Sequence, residues 1–134
     1  MVQGLSHITF VVRDLDKMEE MLTQVLDANK IYDSGDKTFS LSRERFFDIA
    51  GTWVAIMEGE PLPTKTYNHV AFKILPAEYR DRLRRINALG LKVREGRTRV
   101  EGEGQSIYFY DYDNHMFELH SGTLEQRLER YSAY

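Results

Sequence analysis

The sequence contains no cysteine. That excludes disulfides, a thiolate nucleophile and sulfur ligands for a metal, and it fits a cytoplasmic protein. No stretch approaches the roughly 18 consecutive apolar residues of a membrane helix. The N-terminus shows neither the basic nor the apolar region of a secretory signal. Basic charge is not in excess: 18 Lys and Arg face 21 Asp and Glu, for a net charge of −3. A nucleic-acid partner is therefore not expected, because phosphate contacts need a basic face. Only three prolines occur, and two of them stand at Pro61 and Pro63, marking Gly59 to Pro63 as the clearest linker.

The chain has 134 residues, 42% of them hydrophobic, with eight Tyr and seven Phe. This is ample material for one domain, or for two small modules around one core. Residues 5–12 read as a strand with His7, Thr9 and Val11 on one face. Asp14 stands as an N-cap, and Leu15, Met18, Met21, Leu22, Val25 and Leu26 recur at helical spacing over residues 15–26. Ser34-Gly35-Asp36 reads as a turn, Thr38–Leu41 as a short strand, Phe46–Ala50 as further sheet, Gly51 as a break and Trp53–Met57 as a strong strand. The order then repeats. Asn68–Ile74 is a strand. Pro76 opens a helix with stripe Tyr79, Leu83, Ile86 and Leu89, and Gly90 stops it. Leu91–Val93 is a short strand, Arg94 to Gly104 a basic loop, and Ser106–Tyr110 and Met116–His120 are strands around the Asp111–Asn114 turn. Thr123 and Gln126 fit a capping box for a last helix over about Leu124–Tyr131.

The expectation is an α+β domain over 1–134. It consists of paired βαβββ modules, 1–60 and 66–134 with a C-terminal helix, forming a curved mixed sheet cup. A half of this size buries too little surface to be stable alone.

The repeat carries chemistry. His7 in Leu5-Ser6-His7-Ile8-Thr9-Phe10 matches His69 in Tyr67-Asn68-His69-Val70-Ala71-Phe72. The same offset takes Ile56 to Glu118. One strand histidine is more often a satisfied core residue than a ligand, but two at matching positions point to a metal. Glu118 lies in an apolar strand, where an unpaired carboxylate is expensive to bury. Two imidazoles and a carboxylate suit Mn, Fe, Co, Ni or Zn and leave open positions for a substrate. His115 belongs to the turn and points away from the Glu118 face. His120 shares that face but lies roughly 7 Å further along. Neither is expected to be a ligand.

The paired histidines, the Asp111–His115 turn and Glu118 resemble the vicinal oxygen chelate superfamily, with its glyoxalase/bleomycin resistance/dioxygenase-like fold. The resemblance covers nearly the whole chain. Thr66–His69, Glu101–Tyr110 and Glu118–Arg127 are similar to fosfomycin resistance proteins. Leu41-Ser42-Arg43-Glu44-Arg45-Phe46-Phe47 with Ile49–Trp53 is similar to the FosX type, a Mn-dependent epoxide hydrolase. The resemblance implies Mn(II) on His7, His69 and Glu118, and fosfomycin, a phosphonate-bearing epoxide, as substrate. It implies Arg127 as the phosphonate-binding arginine, and Ser106 and Tyr108 as hydroxyl donors. Thr9, Tyr67 and Trp53 fall on the same faces and line the pocket. Glu44 becomes the base that draws a proton from water; without the resemblance, Ser42–Arg45 reads as an exposed charged turn. A homodimer is implied as well. Thr98 and Gly102 stand where the thiol-transferase relatives commonly have lysine and serine, so no potassium site is expected. Arg94, Arg97 and Arg99 read as a solvated face from which one residue could assist the phosphonate. Two rivals remain: a thiol (glutathione) transferase acting on the same epoxide, which needs no Glu44, and a drug-sequestering protein, which needs no metal set.

Overall fold

In the computed structural model, the described residues are 1–94 and 104–133. Arg97, Thr98, Arg99 and Gly102, with most of the basic loop, lie outside them. The elements are β1 (His7–Val12), α1 (Leu15–Leu26), β2 (Asn29–Asp33), β3 (Glu44–Ile49), β4 (Thr52–Glu58), β5 (His69–Lys73), α2 (Tyr79–Ala88), β6 (Val93–Arg94), β7 (Ser106–Tyr110), β8 (Met116–His120) and α3 (Leu124–Ser132). They form two compact units, Met1–Thr64 with Tyr112–Asn114, and Lys65–Asp111 with His115–Tyr134. No helix among the described residues is long and apolar enough to cross a membrane.

Each unit is built on one four-stranded mixed sheet, ordered β1-β4-β3-β2 and β5-β8-β7-β6. In both, the first strand runs parallel to the last, and the remaining pairs are antiparallel. The βαβββ order repeats, as expected.

The first sheet separates its two faces by residue type. Phe10 and Val12 on β1, Val54 and Ile56 on β4, and Phe47 and Ile49 on β3 are all buried. Alternation puts them on one face. α1 packs on β3 and β4 and buries its whole stripe, Leu15, Met18, Met21, Leu22, Val25 and Leu26. Each such side chain contributes about 1.5–3 kcal/mol by leaving water. The Asp14 side chain caps α1 by accepting from the Lys17 N–H. The opposite face carries His7, Thr9 and Val11, then Trp53, Ala55 and Met57, then Glu44, Phe46 and Asp48, in register across three strands. The second sheet repeats the division. Phe117, Leu119, Ile107 and Phe109 are buried on one side. His69 and Ala71, then Met116, Glu118 and His120, then Tyr110, Tyr108 and Ser106 share the other.

Three expectations are corrected. Thr38–Leu41 is not a strand; the missing strand is Asn29–Asp33, and every residue of it is exposed. As an edge strand with a bulge between Lys30 and Tyr32, it is held by backbone bonds to β3. Its side chains therefore carry no alternation to read. Leu91–Val93 shifts to Val93–Arg94. The equivalence of Ile56 with Glu118 is off by one residue. Ala55 pairs with Thr9 as Glu118 pairs with Ala71, whereas Ile56 is fully buried on the helix side.

Candidate metal and substrate site

β5, β8 and β7 bring His69, Glu118, Tyr108 and Ser106 to one face of the second sheet. His69 Nδ1 lies 2.7 Å from the Tyr67 carbonyl. A carbonyl only accepts, so Nδ1 carries the proton. Nε2 faces Glu118 Oε1 at 3.1 Å; without a proton of its own it would turn a lone pair toward the carboxylate. Two lone pairs so placed repel unless a positive charge stands between them. Glu118 is 5% exposed, so burial raises the need for that charge. A divalent metal, or a second proton on the ring, supplies it. The other carboxylate oxygen, Oε2, accepts the Ser106 hydroxyl at 2.6 Å.

His7 opens the first strand of the first sheet. Its Nδ1 is 3.0 Å from Ser6 Oγ, and its ring stacks on Trp53 with centroids 4.1 Å apart. In His69 the carbonyl partner puts the proton on Nδ1 and so leaves Nε2 as the nitrogen that can bind a metal, the arrangement that orients histidine ligands; the Ser6 hydroxyl can donate to or accept from His7 Nδ1. Among the described residues no three His, Asp or Glu side chains gather into a set able to hold a metal. His69 Nε2 and Glu118 Oε1 are the two donors that face each other in the second unit.

The surroundings of the pair suit a small anion. A cleft of about 300 Å³ is lined by His69, Ala71, Glu118, His120, Gly122, Thr123, Leu124 and Arg127. Arg127 enters it because the last helix starts where it does. Thr123 accepts from the Gln126 N–H, and the Gln126 side chain accepts from the Thr123 N–H. The chain reaches that cap through Gly122, whose backbone lies against Gly104. A Cβ on Gly104, where φ is +90°, would stand 2.6 Å from the Gly122 nitrogen, so only glycine allows this approach. Tyr67 packs edge-on to His69 and donates its hydroxyl to Tyr108 at 3.5 Å. Arg94 lies over the Tyr67 ring, 4.8 Å from its centroid.

Glu44 begins β3 and is 9% exposed. Its backbone is fastened twice to Ser34: its N–H donates to Ser34 Oγ at 3.0 Å, and its carbonyl accepts from the Ser34 N–H at 3.0 Å. Its carboxylate makes no hydrogen bond or ion pair among the described residues. Beside it, Arg43 grips the Glu58 carboxylate at both oxygens. The hydrogen bond from Arg43 is the main cause holding the Glu58 carboxyl below its ordinary value. The flanking charges thus neutralise each other and leave Glu44 as an unpaired carboxylate on the His7 and Thr9 face. The exposed charged turn that Ser42–Arg45 suggests in isolation is not what forms.

The structure therefore gathers His69, Glu118, Ser106, Tyr108, Tyr67 and Arg127 in the second unit, and His7, Thr9, Trp53 and Glu44 on one sheet face in the first. His115 stands in the turn between β7 and β8, with its Nδ1 2.7 Å from Asp111 Oδ2. Two residues make contacts that the sequence does not announce. Ser34 reads only as a turn residue. His120 was expected well beyond Glu118, yet its Nδ1 is 3.5 Å from Glu118 Oε2 and 2.6 Å from Ser106 Oγ.

The model of the Glyoxalase/Bleomycin resistance protein/Dioxygenase superfamily matches residues 4–119. The chain belongs to this superfamily. Among its relatives, the fosfomycin resistance protein FosX of Listeria innocua is 58% identical over 131 residues, covering 98% of each chain. The metallothiol transferase FosB of Staphylococcus saprophyticus is more distant, 36% identical over 98% of this chain and 85% of its own. A FosX crystal structure from Listeria monocytogenes, a glutamate-to-glutamine mutant complexed with Mn(II) and 1S,2S-dihydroxypropylphosphonic acid, superposes with a TM-score of 0.90. It is 53% identical, with 98% of this chain and 99% of that one covered.

Proposed function

We propose that the chain is an Mn(II)-dependent epoxide hydrolase that opens fosfomycin to a diol and so confers resistance to it. The observation that carries this is the His69 Nε2 and Glu118 Oε1 pair facing a cleft with Arg127. It occurs in a chain similar to a FosX whose structure holds Mn(II) and a dihydroxypropylphosphonate. That ligand is fosfomycin plus one water.

In this reading His7, His69 and Glu118 hold the metal, with His7 supplied by a second copy in a homodimer. Support comes from the family habit of pairing modules across a dimer and from the two-donor set of the second unit. Other divalent ions suit the same nitrogen and oxygen donors. Bound there, Mn(II) would act as a Lewis acid toward the epoxide oxygen. Arg127 binds the phosphonate by charge-assisted hydrogen bonds, and the Tyr108 hydroxyl and Thr9 orient it. Trp53 and Tyr67 wall the pocket. Glu44 takes a proton from water as the water oxygen bonds to an epoxide carbon. The bond from that carbon to the ring oxygen breaks, and the proton returns to the freed oxygen to complete the diol. The Arg43 guanidinium beside Glu44 is taken up by Glu58. A cytoplasmic location accords with the absence of cysteine.

Phosphorus NMR of fosfomycin with purified protein and Mn(II), with and without glutathione, tests this. One diol resonance should grow at the same rate in both samples. Product only with glutathione would establish a transferase instead, and binding without turnover a sequestering protein.

A further inference from the structure

Four polar side chains of β7, β8 and α3 form a hydrogen-bond chain that runs in one direction only. Arg127 Nη2 is 3.4 Å from His120 Nε2. A guanidinium has no acceptor, so Nε2 accepts and the ring proton sits on Nδ1. His120 Nδ1 is 2.6 Å from Ser106 Oγ and donates to it. The hydroxyl has one proton, and Ser106 gives it to Glu118 Oε2 at 2.6 Å. Each role follows from the one before, because the chain starts at a group that only donates and ends at a carboxylate that only accepts. Two consequences follow for the site. Glu118 Oε2 is occupied, which leaves Oε1 as the oxygen facing His69 Nε2. The Ser106 hydroxyl donates to the carboxylate and its oxygen accepts from His120 Nδ1, so it links the two residues.

We propose that His120 is a positioning residue that couples the anion-binding arginine to the metal-binding carboxylate. Its Nε2 holds the Arg127 guanidinium at the cleft. Its Nδ1–H, through Ser106, holds Glu118 with Oε1 turned to the metal position. The inference rests on the metal and phosphonate roles given above and deepens them. His120 is largely enclosed, with its side chain 14% exposed, so a packing role has to be separated from a polar one. The two ring nitrogens allow that. His120→Gln places an amide near Nε2 and keeps the acceptor for Arg127. His120→Asn places one near Nδ1 and keeps the donor to Ser106.

The probes are Mn(II) alone, followed by the EPR signal of the free ion, and inorganic phosphate titrated calorimetrically into Mn(II)-loaded protein. His120→Ala should weaken both by about 2- to 12-fold each, the span of one neutral hydrogen bond. His120→Gln should weaken Mn(II) and spare phosphate. His120→Asn should weaken phosphate and spare Mn(II). Equal losses of both ligands in the Gln and Asn variants would overturn the proposal in favour of packing, and unchanged affinities in all three variants would overturn it outright. Wild-type protein that leaves fosfomycin intact, while its variants split the two affinities in this way, would defeat the hydrolase reading and sustain the coupling.

Discussion

Mixed dimers of His7→Ala and Glu118→Ala subunits place the metal set under its most demanding test. Each variant alone lacks one donor in both of its sites and should neither retain Mn(II) nor make diol. Suppose His7 of one copy joins His69 and Glu118 of the other. A dimer of one variant subunit with the other then has one site carrying both lesions and one carrying neither. Random one-to-one assortment makes about half of the dimers mixed, so the mixture should recover about a quarter of wild-type turnover. Two different affinity tags and tandem purification isolate the mixed species, which should hold one Mn(II) per dimer and make diol at about half the wild-type rate. The two lesions differ in their local cost. His7 is exposed, and its ring rests on Trp53, so its loss leaves no buried group unpaired. Glu118→Ala removes an acceptor from the part-buried Ser106 hydroxyl and empties a buried position on β8. Thermal melts must therefore show both variants folded before activity is read. Purified mixed dimers without Mn(II) and without diol, from folded subunits, would refute a set shared between copies.

Other outcomes follow from single groups. Arg127→Ala should weaken fosfomycin binding by roughly 10- to 150-fold, the loss of a hydrogen bond to a charged group, while Mn(II) uptake by EPR stays close to wild type. Glu44→Gln should lower diol formation by about 100- to 10,000-fold, with calorimetry showing fosfomycin still bound; hydrolysis at the wild-type rate would remove Glu44 from the mechanism. Ser34→Ala deletes the hydroxyl that accepts the Glu44 N–H and should lower kcat more than it raises KM, with Mn(II) affinity unchanged. The Glu58 carboxyl is held below its ordinary value chiefly by the hydrogen bond from Arg43, so its folded form binds protons less readily than the unfolded chain. The stability it contributes is present above the ordinary carboxylate range and is lost as pH falls through its lowered value. Melting temperatures across that acid window should therefore fall less in Glu58→Gln than in wild type, and parallel curves would show that the pair contributes nothing.

What sequence made legible, and what it hid, follow from how each contact is encoded. α1 was readable to the residue because six apolar positions recur with the helical period and all six are buried. The matching positions of His7 and His69, each opening the first strand of its sheet, are readable because the same strand is built twice. β2 was hidden because an exposed edge strand answers to backbone pairing, and its residues need match nothing. The slip from Ala55 to Ile56 has a related cause. An offset measured on the first strand of each unit need not hold at the last one, and on a strand a slip of one residue reverses the face. His120 shows the deeper limit. Counting along β8 gives its separation from Glu118 at the backbone, but the side chains meet through Ser106, which stands opposite His120 on the neighbouring strand. Alternation states which side chains share a face; only cross-strand register states which polar tips touch. The donor order from Arg127 to Glu118 is a property of that register. A change confined to the β7–β8 pairing should therefore disturb metal and anion binding together, even with every site residue left in place.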